Sequence, residues 1–200
     1  MSKELSINPK TGLPTNLANI ATAIRKSADV VASDMKPFVK FTKYGEWIYG
    51  TDETEIDGKS EWAINPLSAG VGFVGWGDKA HGNEGTPLGE HFAHPVAGEP
   101  LLDEEGLHQI DGQWLSAIKL EFKGMDGGPE LVWKANSSGA RNCYKAIMTK
   151  VADRLEAENT YCVPVVTMGK SFYNHTKYGK IFTPTLDVAY WTDMKGNKEK

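Results

Sequence analysis

One helical period set between two strand-patterned regions constrains this chain more than any other feature. Ala140, Tyr144, Ile147, Met148, Val151 and Leu155 recur at spacings of three and four. That stripe predicts a helix from a cap at Ser137 or Ser138 to about Glu158. Before it, Pro37–Gly50 (PFVKFTKYGEWIYG) alternates apolar and polar residues, with Gly45 as a bulge or bend. Glu61–Asn65 and Val71–Trp76 continue the β pattern, and Gln113–Lys123 and Glu130–Ala135 flank a Gly-rich turn. After the helix come Tyr161–Thr167, Ser171–His175, Gly179–Phe182 and Thr185–Trp191.

The order is therefore strands, one helix, then strands, with about three strands before the helix and two after it. The OB-fold, a five-stranded β-barrel, commonly places a helix between its third and fourth strands. The expected fold is mainly β, an OB-fold-like barrel with one helix between the third and fourth strands. Other strand-rich α+β folds produce the same order. A second helical period, Leu17, Ile20, Ala21, Ile24, Ala28 and Val31, adds an N-terminal helix after a Pro- and Gly-containing leader. This divides the chain into a leader and helix (1–35), one domain (36–192) and a short basic tail (193–200).

Two hundred residues suit one domain with a sizeable core. No apolar run is long enough to span a bilayer, and MSKELSINPKTGLP lacks the apolar centre of a secretory signal. The expectation is an intracellular, cytoplasmic protein with no membrane partner. Cys143 and Cys162 read as small apolar residues in a reducing compartment.

The formal charge of −4 argues against nucleic acid only until its distribution is considered. Residues 78–111 carry eight acids against Lys79 alone, a net charge of −7. That Gly-, Pro- and acid-rich region has weak periodicity, so 77–111 is expected to be an insertion into the barrel. Residues 112–200 carry a net +4. A locally basic surface binds phosphates even where the total charge is negative.

Asn159–Leu186 contains no Asp or Glu. Lys170, Lys177, Lys180 and His175 are interleaved there with Tyr161, Phe172, Tyr173, Tyr178 and Phe182. Cations that track phosphates, beside flat rings that stack on bases, are what single-stranded nucleic acid binding requires. The plainer alternative is a β-hairpin with core rings and solvated lysines. Strand parity in Phe41–Tyr49 puts Lys43, Trp47 and Tyr49 on one face, a second set of the same chemistry. Arg141, near the start of the helix, adds a cation where free N–H groups favour anions; the competing reading is simple serine capping.

Other chemistry finds little support. The glycines form neither a phosphate loop nor a dinucleotide fingerprint. Ser137-Ser138-Gly139-Ala140-Arg141 lacks the GxSxG elbow. Glu90, His91 and His94 have an HxxH spacing, but nothing in the sequence makes them converge on a metal. No catalytic residue, metal or cofactor is expected.

The blocks WIYGTDETEIDGKSEWAINP (Trp47–Pro66) and VPVVTMGKSFYNHTKYGKIFTPTLDVAYW (Val163–Trp191) resemble phage-type single-stranded DNA-binding proteins with an OB-fold. The resemblance covers roughly half of the chain. It implies a non-enzymatic protein that protects exposed single strands during phage DNA replication or recombination. Its partners would be single-stranded DNA, replication or recombination proteins, and further copies of the chain. RNA offers the same phosphates and bases and stays open as a ligand. Many such proteins end in an acidic tail, whereas MKGNKEK (Met194–Lys200) is basic. The residues expected to contact nucleic acid are Lys43, Trp47, Tyr49, Arg141, Lys170, Phe172, Tyr173, Lys177, Tyr178 and Lys180. A structural or host-interaction protein acting through the acidic insertion is the alternative, and a metal-dependent nuclease a third.

Overall fold

In chain order the strands are β1 (Phe38–Phe41), β2 (Trp47–Tyr49), β3 (Thr54–Glu55), β4 (Glu61–Ile64), β5 (Gly70–Gly77), β6 (Pro87–Ala93), β7 (Gly112–Gly124) and β8 (Glu130–Ala135). Helix α1 (Ser138–Ala157) follows, and then β9 (Val163–His175) and β10 (Gly179–Thr192). A computed structural model describes residues 36–199, without 102, 126, 158 and 159. The expected leader and N-terminal helix lie outside the described residues.

β7 organises the sheet because its side chains alternate cleanly. Ile118, Leu120 and Phe122 are buried, while Lys119, Glu121 and Lys123 lie on the other face. Leu120 stands opposite Trp133, and Phe122 opposite both Leu131 and Ile64. One edge of β7 is shared by β4 and β5, separated by the short turn Pro66–Ser68. Asn65 caps that turn, its side-chain oxygen accepting from the Leu67 N–H at 3.1 Å. The other edge pairs with β8, which pairs in parallel with β1.

The full path runs β10-β9-β4-β7-β8-β1-β2-β3 and curls into a half-barrel, with β5 and β6 branching from β7. The fold is mainly β with one long helix between β8 and β9, as the patterning implies. The count differs. Eight strands precede the helix rather than about three, because short hairpin pairings such as Trp47–Tyr49 with Thr54–Glu55 involve too few residues to show a periodic apolar face.

Two further expectations change. Pro37–Gly50 does not run as one alternating segment: the chain reverses between β1 and β2 at Gly45, whose φ is +81°. The segment 77–111 is not merely inserted loop, since Pro87–Ala93 pairs antiparallel with β5. Gly75 and Gly89 face one another in that ladder, and a Cβ at either would meet the Trp114 ring, at 3.0 and 3.4 Å. The indole lies where these two positions lack side chains. After the helix the two expected strands are present, each longer than the segments the pattern marks, and they pair from Val163↔Thr192 to His175↔Gly179 with one bulge.

Helix α1 buries Ala140, Cys143, Ile147 and Val151 against the sheet, while Leu155, on the expected stripe, is exposed. The Ser137 hydroxyl accepts from the Ala140 N–H at 3.2 Å and caps the helix. Both cysteines are free. Among the described residues no helix is long and apolar enough to cross a membrane.

Candidate nucleic-acid interface

β9 and β10 outrun their neighbour. β4 pairs with β9 only over Val165–Thr167, so residues 168–175 and 179–186 continue as a two-stranded arm. Alternation divides the arm into two faces. One face carries Lys170, Phe172 and Asn174, opposite Pro184, Phe182 and Lys180. It continues the face on which Met168 and Leu186 are buried, so the core surface runs outward into a basic and aromatic strip.

The strip is built diagonally. The Phe172 and Phe182 rings meet edge to face, with centroids 6.3 Å apart. The Lys180 ammonium lies 4.0 Å from the Phe172 centroid and 4.8 Å from that of Phe182. The Lys170 ammonium lies 5.4 Å from Phe182. At exposed sites such contacts contribute about 0.5–1 kcal/mol each. Among the described residues, neither lysine is engaged in an ion pair. Both charges remain available to an anion. Phe172 is 55% exposed.

The opposite face carries Tyr173, 50% exposed, and leads to the tip of the arm. There His175 Nδ1 accepts from the N–H groups of Lys177 (3.1 Å) and Tyr178 (3.3 Å). Gly179, with φ +70°, closes the turn. The His175 and Tyr178 rings lie 4.8 Å apart, tilted by 31°, and the Lys177 ammonium is 5.2 Å above Tyr178. Lys177, Tyr178 and Lys180 are thus exposed at and beside the tip.

A second element reaches this strip. The β1–β2 turn is held by the Thr42 hydroxyl, which accepts from the Tyr44 and Glu46 N–H groups at 3.2 Å. Gly45 then rests on the arm: a Cβ there would lie 2.8 Å from Lys170 Cδ and 2.9 Å from the Phe182 ring. Lys43 and Tyr44 are exposed at this turn, with the Lys43 ammonium 5.0 Å from the Tyr44 centroid.

The structure therefore gathers Lys170, Phe172, Phe182 and Lys180 into one cluster, with Lys43 on the turn whose Gly45 rests on it and with Tyr173, Lys177 and Tyr178 farther along the same arm. Arg141 is exposed beside the base of the arm. It reaches back to the Ser138 hydroxyl at 3.4 Å, and the nearby Gly139 packs on Thr183 and Pro184.

Trp47 and Tyr49 are placed elsewhere. Trp47 is only 4% exposed, edge-on to both Phe41 and Trp133 at 5.2 Å, and has no free face for a base. Its Nε1–H donates to the Gly169 carbonyl at 2.8 Å, so it supports the arm from beneath. Tyr49 is half-buried and borders a cleft with Glu55, Asp57 and Glu61, an acidic setting unsuited to phosphates. The reversal at Gly45 is the reason: strand parity does not carry across a turn.

Sequence reasoning left Tyr44 and Phe182 out of the contact set. Tyr44, 63% exposed, sits at the turn rather than on the hidden side of a strand. Phe182 joins the strip because of its register with Phe172, which one strand's pattern does not reveal.

The residues of the metal alternative diverge. Glu90 binds the Lys134 ammonium through both carboxylate oxygens, at 2.5 and 2.7 Å. The His91 ring packs against His108 and Trp114. His94 offers its backbone N–H to Glu99. His81 bonds Asp78 at 2.8 Å and holds that carboxyl below its ordinary range. Among the described residues no group of three or more His, Cys, Asp or Glu side chains could hold a metal ion. No protein-family model, no curated protein and no solved structure matches this chain.

Proposed function

We propose that this protein binds single-stranded DNA without catalysis, along the strip formed by the β9–β10 arm and the β1–β2 turn. The observation that carries the reading is the diagonal arrangement of Lys170, Phe182, Phe172 and Lys180 on one exposed face. Bases stack on rings of any sequence neighbourhood, and lysines neutralise the phosphates between them. A base that settles on Phe172 takes the place of the Lys180 ammonium, which then swings to the adjoining phosphate. Lys43 and Lys177 extend the charge to either side, with Tyr44, Tyr173 and Tyr178 as further stacking faces and Arg141 as a cation at the base of the arm.

The strand connections support an OB-like barrel. Taken as one bent strand, β4–β5 pairs with β7 and with β9; β8 follows β7, α1 follows β8, and β9–β10 close the order. In an OB-fold the loop between the fourth and fifth strands contacts oligonucleotides, and the arm occupies that position. One departure is that β8 pairs with β1, so the β1–β2 hairpin stands between the third and fifth strands. The role in phage DNA replication or recombination, within the host cytoplasm, rests on the sequence resemblance of Trp47–Pro66 and Val163–Trp191.

Titration of a fluorescent oligo-dT at low salt tests the reading. Binding that weakens as salt rises is expected. Absence of binding at micromolar protein would sink it. An RNA of equal length in the same assay determines whether the site discriminates between the sugars.

A further inference from the structure

A cavity of about 360 Å³ opens between β1, β5, β6 and β8, outside the strip just described. That volume lies near the lower end of the roughly 300–1,000 Å³ typical of small-molecule sites. Its walls are mainly apolar, with Phe38, Val74 and Trp76 among them, while Lys40, Lys134 and Glu90 supply charge. Phe38 is 44% exposed. The Lys134 ammonium lies 5.1 Å from the Phe38 centroid and is held there by Glu90. Flat apolar walls beside two cations and one carboxylate suit a ring that carries an anion on its outer side.

The cavity is joined to the strip by β1. Lys40 lines the cavity, and three residues later Lys43 stands at the turn that rests on Lys170 and Phe182. Three residues of extended chain cover about 10 Å. Lys43 at the turn and Lys40 on the outer face of β1 thus lead from the arm, around the hairpin, to the cavity, where Lys134 is already paired with Glu90.

We infer that this cavity receives one unstacked base of the bound strand, with Phe38 against its face and Lys40 on its phosphate. The inference rests on the strand-binding reading. Taking a base out of a single strand costs less than flipping it from a duplex, so a pocket of this kind is accessible to the ligand proposed. Inserted there, the base fixes the register of a strand that the arm alone would let slide.

Photo-crosslinking tests this with an oligo-dT in which 5-iodouracil replaces thymine. Crosslinks to Phe38 or Trp76, in addition to arm residues, are expected. Phe38→Ala, at a part-exposed position, should lower affinity for oligo-dT roughly tenfold. It should leave affinity for a fully abasic oligonucleotide of the same length unchanged. Val74→Phe, which fills the cavity, should abolish the cavity crosslinks while keeping those on the arm, showing that the protein remains folded. Crosslinks confined to Phe172, Tyr173 and Tyr178, with full affinity in Phe38→Ala, would overturn the cavity assignment and leave strand binding standing. Failure of the unsubstituted oligonucleotide to bind would remove both.

Discussion

Trp47 and Gly169, 122 positions apart in the chain, are joined by a 2.8 Å hydrogen bond from the indole Nε1–H to the carbonyl oxygen. The bond ties the β1–β2 hairpin to the exposed arm. Trp47→Phe removes the donor together with part of the buried ring system. It should cost about 1 kcal/mol in urea unfolding for the lost bond, and roughly 1–2 kcal/mol more for the volume vacated in the core. It should also speed amide hydrogen exchange in residues 168–175 while leaving β7 and β8 protected.

Charge and stacking should separate in salt titrations. Lys170→Ala and Lys180→Ala should each reduce the slope of log K against log salt by about 0.7, the single-strand value per phosphate contact. Phe172→Ala should lower affinity roughly 5- to 100-fold with the slope unchanged. Because Phe172 is more than half exposed, its thermal unfolding should shift little. Equal slopes in all three variants would count against phosphate contact by these lysines.

Gly45 and Gly50 provide a paired comparison. Both have left-handed backbone, with φ of +81° and +73°. At Gly50 an added Cβ meets nothing within 4 Å, whereas at Gly45 it meets Lys170 Cδ at 2.8 Å. Gly50→Ala should cost about 1–2 kcal/mol from the backbone alone. Gly45→Ala should cost about 1–3 kcal/mol beyond that, as in overpacked sites, and should weaken oligonucleotide binding as well. Equal losses would show that the turn does not bear on the arm.

Burial raises the Cys143 thiol from its ordinary value of 9.0 to about 12, with the nearby Asp187 charge adding to the shift. The folded state therefore holds this proton more tightly than the unfolded state does. The stability associated with the shift is complete below about pH 9 and is lost as pH rises toward about 12. Cys143→Ala should flatten part of that alkaline loss; burial raises Tyr144 too, and its share should remain. At pH 8, iodoacetamide should modify Cys162 and spare Cys143 until the protein is unfolded.

What the sequence makes legible follows from where the determining forces lie. Gln113–Lys123, Glu130–Ala135 and the helix from Ser138 emerge at nearly their observed limits, because each buries one face along a regular period. Pro87–Ala93 escapes that logic: it is a branch strand whose pairing with Gly-rich β5 is fixed by the backbone ladder, not by an apolar face. Trp47 illustrates a second limit. A tryptophan beside a lysine suits stacking on a base and packing in a core equally well. Only the reversal at Gly45 turns Trp47 inward and leaves Lys43 and Tyr44 outside. Within Asn159–Leu186 the kinds of residue are visible in the sequence, but the strip requires the cross-strand register that sets Phe172 opposite Phe182.

The tether between Trp47 and Gly169 also imposes an order in time. During synthesis the β1–β2 hairpin leaves the ribosome long before the arm that it will carry, and a domain folds as a unit. The Lys170–Phe182 strip cannot exist until translation has passed β10. A nascent chain therefore leaves Trp47, a core residue of the finished fold, without its Gly169 partner until nearly all the described strands have been made.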